Sequence, residues 1–165
     1  MKYILSIMIV SIFTVGVFAQ KLPAKEGLYK GTMYLYRQGI ISDSVTVELK
    51  IEVLQPDSAW KWQTKYLSEK MPMTKDYKLV SKDATKGFYA TDEGENIILY
   101  DFLFGNKLYS QFETHEILLT SSYEWIGNDQ IIFEVTSAKK EKETPEGISN
   151  YKINHLQRVV FKKIK

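Results

Sequence analysis

Cysteine is missing from all 165 residues. That excludes a disulfide framework, so the packed core alone must stabilise any folded domain. It also excludes a lipid-modified bacterial precursor, which needs a Cys just after its cleavage point. Histidine is nearly as scarce. His115 and His155 stand forty residues apart and form no zinc-binding spacing. No G-x-S-x-G segment occurs, and neither His adjoins a telling Ser or Asp, so nothing marks nucleophilic catalysis. No metal site, cofactor or catalytic residue is expected. An excess of one charge is absent too: 22 Lys and Arg meet 20 Asp and Glu. So even a balance argues against nucleic acid as the main partner. Lys139, Lys140 and Lys142 interleave with Glu141, Glu143 and Glu146 and read as a solvated loop; Lys162, Lys163 and Lys165 read as a soluble tail.

Long apolar runs are limited to one. It extends from Tyr3 to Phe18 behind a single positive charge, Lys2, and ends at Val17-Phe18-Ala19 before Gln20-Lys21. Small or neutral side chains at the −3 and −1 positions are what signal peptidase accepts. Val17 and Ala19 therefore place a cut after Ala19, with residues 1–19 as export signal and residues 20–165 as the mature domain. A transmembrane anchor needs about 20 apolar residues, and this run is shorter. No later run is long enough to span a bilayer, so the mature chain is expected to be soluble, periplasmic or secreted.

A helical 3.6-residue apolar repeat is also missing. What fills the chain instead is alternation of period two. The cleanest stretch is Val45 to Val53, where Val, Leu and Ile fall on one face and Thr, Glu and Lys on the other. That is the pattern of a half-buried antiparallel strand. Further strands are expected over 28–37, 59–67, 75–81, 87–91, 96–104, 107–119, 121–126, 130–137 and 150–163. Turn chemistry separates them: Gln38-Gly39, Gln55-Pro56-Asp57-Ser58, Asp92-Glu93-Gly94-Glu95 and Gly127-Asn128-Asp129. Gly105-Asn106 suits a two-residue type II′ hairpin, because Gly takes the positive φ at its first position. Nine or ten strands joined by short loops imply an all-β, up-and-down meander. Closure into a single antiparallel barrel removes both exposed edges. A β-sandwich is the competing architecture.

Aromatic residues crowd these strands. Trp60, Trp62 and Tyr66 share one strand face and are the best candidates for the wall of a ligand cavity. The competing reading is that the rings simply fill the core. Asp101 stands out because Ile97 to Phe104 is otherwise apolar on both faces. A carboxylate there is either paired or held with a raised pKa. His155 is in phase with Val159 and Phe161 and is expected to face the interior, whereas His115 is in phase with Gln111 and Glu113 and faces solvent.

β structure opens with Gly27-Leu28-Tyr29-Lys30-Gly31. That segment resembles the G-x-W-x-G opening of the lipocalin-like superfamily of small exported barrels, with Tyr29 in the aromatic place. The resemblance implies that Tyr29 closes the barrel floor. It also implies that Arg158, in Arg158-Val159-Val160-Phe161, packs on that ring from outside. The strand order is similar to the nitrobindin-like branch, which binds haem through a His near the C-terminal end. That makes His155 the residue to ask about.

These readings converge on an exported barrel that binds a small, largely apolar molecule without transforming it. Tyr29, Trp60, Trp62, Tyr66, Asp101, His155 and Arg158 are its candidate ligand-binding residues. The alternatives are an envelope or extracellular structural or protein-interaction module with a filled core and, third, a haem-binding barrel.

Overall fold

A computed structural model describes residues 21–142 and 145–164. The apolar run from Tyr3 to Phe18 and the cleavage point after Ala19 lie outside the described residues. Ten strands form one closed antiparallel barrel. They are β1 (Gly27–Arg37), β2 (Ile40–Gln55), β3 (Ala59–Tyr66), β4 (Met73–Asp83), β5 (Phe88–Gly94), β6 (Ile97–Phe104), β7 (Lys107–Thr114), β8 (Ile117–Ile126), β9 (Gln130–Lys140) and β10 (Tyr151–Lys163). One short 3-10 turn, Ala84–Lys86, joins β4 to β5. Each strand pairs with its sequence neighbour, and β10 closes the circle against β1, with Met33 opposite Val159. The closed barrel rules out the sandwich.

Gly31 permits that closure. A Cβ built there would overlap the carbonyl oxygen of Val160 and stand 2.7 Å from Val159 Cγ2. Only a glycine lets β1 and β10 approach this closely.

Strand boundaries differ from the sequence pattern, most clearly in three places. The stretch 107–119 is not one strand but two, folded at His115-Glu116, where both residues hold positive φ (48° and 62°). Thr-His-Glu-Ile contains no Gly or Asn to announce such a turn. His115 is therefore exposed in a turn and not on a strand face. β2 begins at Ile40, five residues before the clean alternation, because it pairs with β1 back to a two-residue turn at Gln38-Gly39. β5 runs on to Gly94, and the turn lies at Glu95-Asn96. The Gly105-Asn106 hairpin has φ of 63° at Gly105, with Phe104 paired to Lys107, as its residues demand.

The interior is divided in two along the barrel axis. At one end Tyr29, Ile51, Trp60, Tyr89, Leu103, Trp125, Ile131 and Phe161 pack solidly. The segment before β1 crosses this end and completes the floor. Leu22 joins the core, Tyr29 Oη donates to the Lys25 carbonyl at 2.9 Å, and the Val53 amide donates to Glu26 Oε1 at 2.7 Å. Burial of this apolar set is the main stabilisation of a chain that has no crosslink.

Candidate ligand cavity

Above the packed floor the barrel is open. The cavity there has a volume of about 250 Å³. Its walls come from eight strands, β3 to β10, because inward-facing positions alternate along each one. Rings make up much of the wall: Trp62, Tyr66, Tyr77, Phe112, Tyr123 and Phe133. Trp62 stands edge-on to Tyr123 at 5.1 Å, and Tyr123 lies 4.4 Å from Phe133, centroid to centroid. Trp62 Nε1 is buried with no hydrogen bond of good geometry. Hydroxyls of Thr64, Thr91, Ser110 and Ser121 and the amide of Gln157 interrupt the rings.

Asp101 marks the base of this cavity. It sits on β6 between Leu99 and Leu103 and is only 4% exposed. Thr91 Oγ1 donates to its Oδ2 at 2.8 Å, while the adjacent Ser110 hydroxyl donates to the Tyr100 carbonyl at 3.1 Å. Among the described residues no Lys, Arg or His lies within ion-pair distance of it. Burial pushes its carboxyl up to about 6. The Thr91 and Ser110 hydroxyls beside it oppose that rise, and the negative charge of Glu93 adds to it. The partner of this carboxylate is a hydroxyl and not a cation.

Nearer the mouth, Tyr77 stands beside Glu93, and Lys75 Nζ lies 5.9 Å from the centre of the Tyr77 ring. Burial, then the neighbouring Glu93, raises the Tyr77 phenol well above its ordinary value. Burial does the same to Tyr66 and, more strongly, to Tyr123. All three phenols are neutral hydrogen-bonding groups at physiological pH.

The structure separates the seven candidate residues. Trp62, Tyr66 and Asp101 line the cavity together. Tyr29 and Trp60 share their inward orientation but belong to the packed floor, where Tyr29 is 1% exposed. His155 faces a neighbouring recess of about 330 Å³, which shares Leu119, Val135 and Gln157 with the main cavity. It is exposed at the rim, where its Nε2 accepts from Arg37 Nε at 3.3 Å and its Nδ1 meets Ser137 Oγ at 3.3 Å. Arg158 does not pack on Tyr29. The register places it opposite Tyr34, and it pairs with Glu134 at 2.9 Å. The residue opposite Tyr29 is Lys163, whose Nζ stands 5.8 Å from the ring centre. Arg158 alternates with the buried Val159 and so points outward, a signal already present in the period-two pattern.

Five residues of the site were not singled out by the sequence: Tyr77, Thr91, Glu93, Ser110 and Tyr123. They lie on four different strands, and only the closed barrel brings them together. Among the described residues no group of three or more His, Cys, Asp or Glu could hold a metal ion. The outward face of β6 carries Tyr100, Phe102 and Phe104, with Phe88 stacked on Phe102 at 5.0 Å. The apolar run of this strand thus serves two faces, one toward the core and one toward solvent.

At the level of sequence, no protein-family model and no curated protein matches the chain. Solved structures do match its fold. An S-type phycobiliprotein lyase, CPES, from Guillardia theta superposes with a TM-score of 0.61 at 8% identity, covering 85% of this chain and 88% of the lyase. A protein of unknown function from the DUF3598 family, from Nostoc punctiforme, superposes with a TM-score of 0.58 at 14% identity. That match covers 84% of this chain and 47% of the larger protein. These likenesses establish a shared barrel architecture.

Proposed function

We propose that this chain is an exported, lipocalin-like barrel that holds a small, largely apolar molecule in its open half without transforming it. The division of the interior carries the reading. A barrel needed only as a packed module would be filled along its whole length, and this one is filled at one end and ring-lined but open at the other. The volume is below the roughly 300–1,000 Å³ common for drug-sized ligands, which points to a small molecule or to one end of a larger one. The similarity to a phycobiliprotein lyase supports the reading in a general way, since that protein has the same barrel.

Export is the second part of the proposal and rests on the Val17-Phe18-Ala19 cleavage pattern. Expression of the whole chain in a secreting host tests it. Intact mass of the exported product should correspond to a chain beginning at Gln20. Retention of the full-length mass in the cell overturns it.

Binding is tested by titrating the purified protein with neutral hydrophobic fluorophores and fatty acids, following Trp emission and melting temperature. Trp62 lines the cavity, so an occupant should change its emission. If every compound, hydrophobic amines included, leaves both signals unchanged, the container reading fails.

A further inference from the structure

We propose that the open half of the barrel is selective for an organic cation, a small amine whose ammonium group seats against Asp101 while its apolar remainder lies along the rings. The inference rests on the container reading and specifies the chemistry of what is contained.

Three observations support it. The charged group at the base of the cavity is a carboxylate held by the Thr91 hydroxyl, with no cation within ion-pair distance among the described residues. The Thr91 hydroxyl bond leaves acceptor capacity on its oxygens, since an ionised carboxylate offers about four lone-pair sites. A neutral occupant would leave that charge uncompensated in a largely apolar site, and an anion would be repelled by it.

The second observation is the wall. Trp62, Tyr77, Tyr123 and Phe133 present ring faces or edges around the same space. Ring faces are negative and attract ammonium groups within about 6 Å of their centres. The chain already makes such a contact at the mouth of this cavity, where Lys75 Nζ lies over the Tyr77 ring.

The third is the charge of the lining. Asp101 and Glu93 are its acids and Lys75 is its base, so the cavity carries one net negative charge. Lys75 is on β4 toward the mouth, and Asp101 is at the base. A positive head entering first would pass the cation and reach the anion. The ammonium must retain an N–H, because the carboxylate is reached by hydrogen bonding.

Three probes with one naphthalene ring test the selectivity: 1-naphthylmethylamine, 1-naphthylmethanol and 1-naphthylacetate, titrated calorimetrically into the purified protein at about pH 8. The amine should bind at least about tenfold more tightly than the alcohol, and the acetate most weakly. Asp101→Asn should bring amine and alcohol to within about twofold of each other. Equal binding of amine and alcohol to the wild type, or tighter binding of the acetate, overturns the selectivity and leaves the container reading standing. A preference that survives Asp101→Asn also overturns it. If none of the three binds, the container reading fails for molecules of this size and the selectivity falls with it.

A second measurement needs no variant at position 101. The amine stays protonated as pH falls, while Asp101 takes up a proton, so the wild-type preference should decline as pH drops through about 6. Asp101 faces Glu93 from β5, Lys75 and Tyr77 from β4, Tyr66 from β3 and Tyr123 from β8, and His155 stands in the adjoining recess. The same pH loss in Glu93→Gln and in His155→Asn assigns it to Asp101. A preference that is independent of pH overturns the assignment.

Discussion

Thr91 and Asp101 are diagonal partners across the β5–β6 ladder. The residue directly opposite Asp101 is Tyr89, and Thr91 reaches past that rung to place its hydroxyl 2.8 Å from the carboxylate. This bond holds a charge that has few other partners. Thr91→Val keeps the shape and removes the donor, so the Asp101 carboxyl should rise further above about 6. The loss should be about 1–2 kcal/mol where Asp101 is ionised, and smaller where it is protonated. Urea unfolding of both proteins on the acid and alkaline sides of that pKa measures the difference.

Asp101 itself should make the fold less stable as pH rises. Its folded-state carboxyl is raised from 3.8 to about 6, so the folded chain holds this proton more tightly than the unfolded one between those values. Stability is therefore lost as pH climbs through that window, by up to about 3 kcal/mol. Asp101→Asn removes the titration. Its melting temperature should exceed that of the wild type by an amount that grows from pH 4 to pH 7. A gap that shrinks with rising pH would show that the buried carboxylate is stabilised, not strained.

Gly31→Ala should be the more damaging of two glycine substitutions. Its methyl would collide with the β10 backbone at Val160, which cannot yield without opening the barrel. Overpacking of this kind costs on the order of 1–3 kcal/mol, and rigid backbone places it at the upper end. Gly105→Ala meets no atom within 4 Å and suffers only from its φ of 63°. Its cost should be about 1 kcal/mol. Paired thermal melts rank the two.

Tyr66→Ala and Arg158→Ala should separate wall from surface. Tyr66 lines the cavity, so its truncation should weaken 1-naphthylmethylamine about tenfold. Arg158 is an outward, partly exposed partner of Glu134, so its removal should leave affinity unchanged and shift stability by about 1 kcal/mol or less. Calorimetric titration and denaturation of both variants check the pair.

Much of the barrel is legible residue by residue. Val45 to Val53 alternates cleanly because one face of β2 packs inward and the other meets water, and Gly105-Asn106 turns where its φ preference says it must. The His115-Glu116 turn was hidden, because neither Gly nor Asn marks it and tertiary pairing imposes it. In the site, Asp101 was visible as a carboxylate in an apolar run. Its hydroxyl neighbours were not, since Thr and Ser occur throughout the strands and nothing local distinguishes Thr91 or Ser110.

What the sequence alone determined was period and parity: a strand-rich meander, the inward faces of its strands, and the outward side of Arg158 relative to Val159. Depth along the barrel axis belonged to the tertiary structure. Tyr29 and Tyr66 both point inward on alternating strands, yet one is sealed in the floor and the other lines an open cavity. The difference arises from register between strands far apart in the chain and from the segment at Leu22 crossing one end. Alternation records which face a residue occupies; only the closed sheet sets its height.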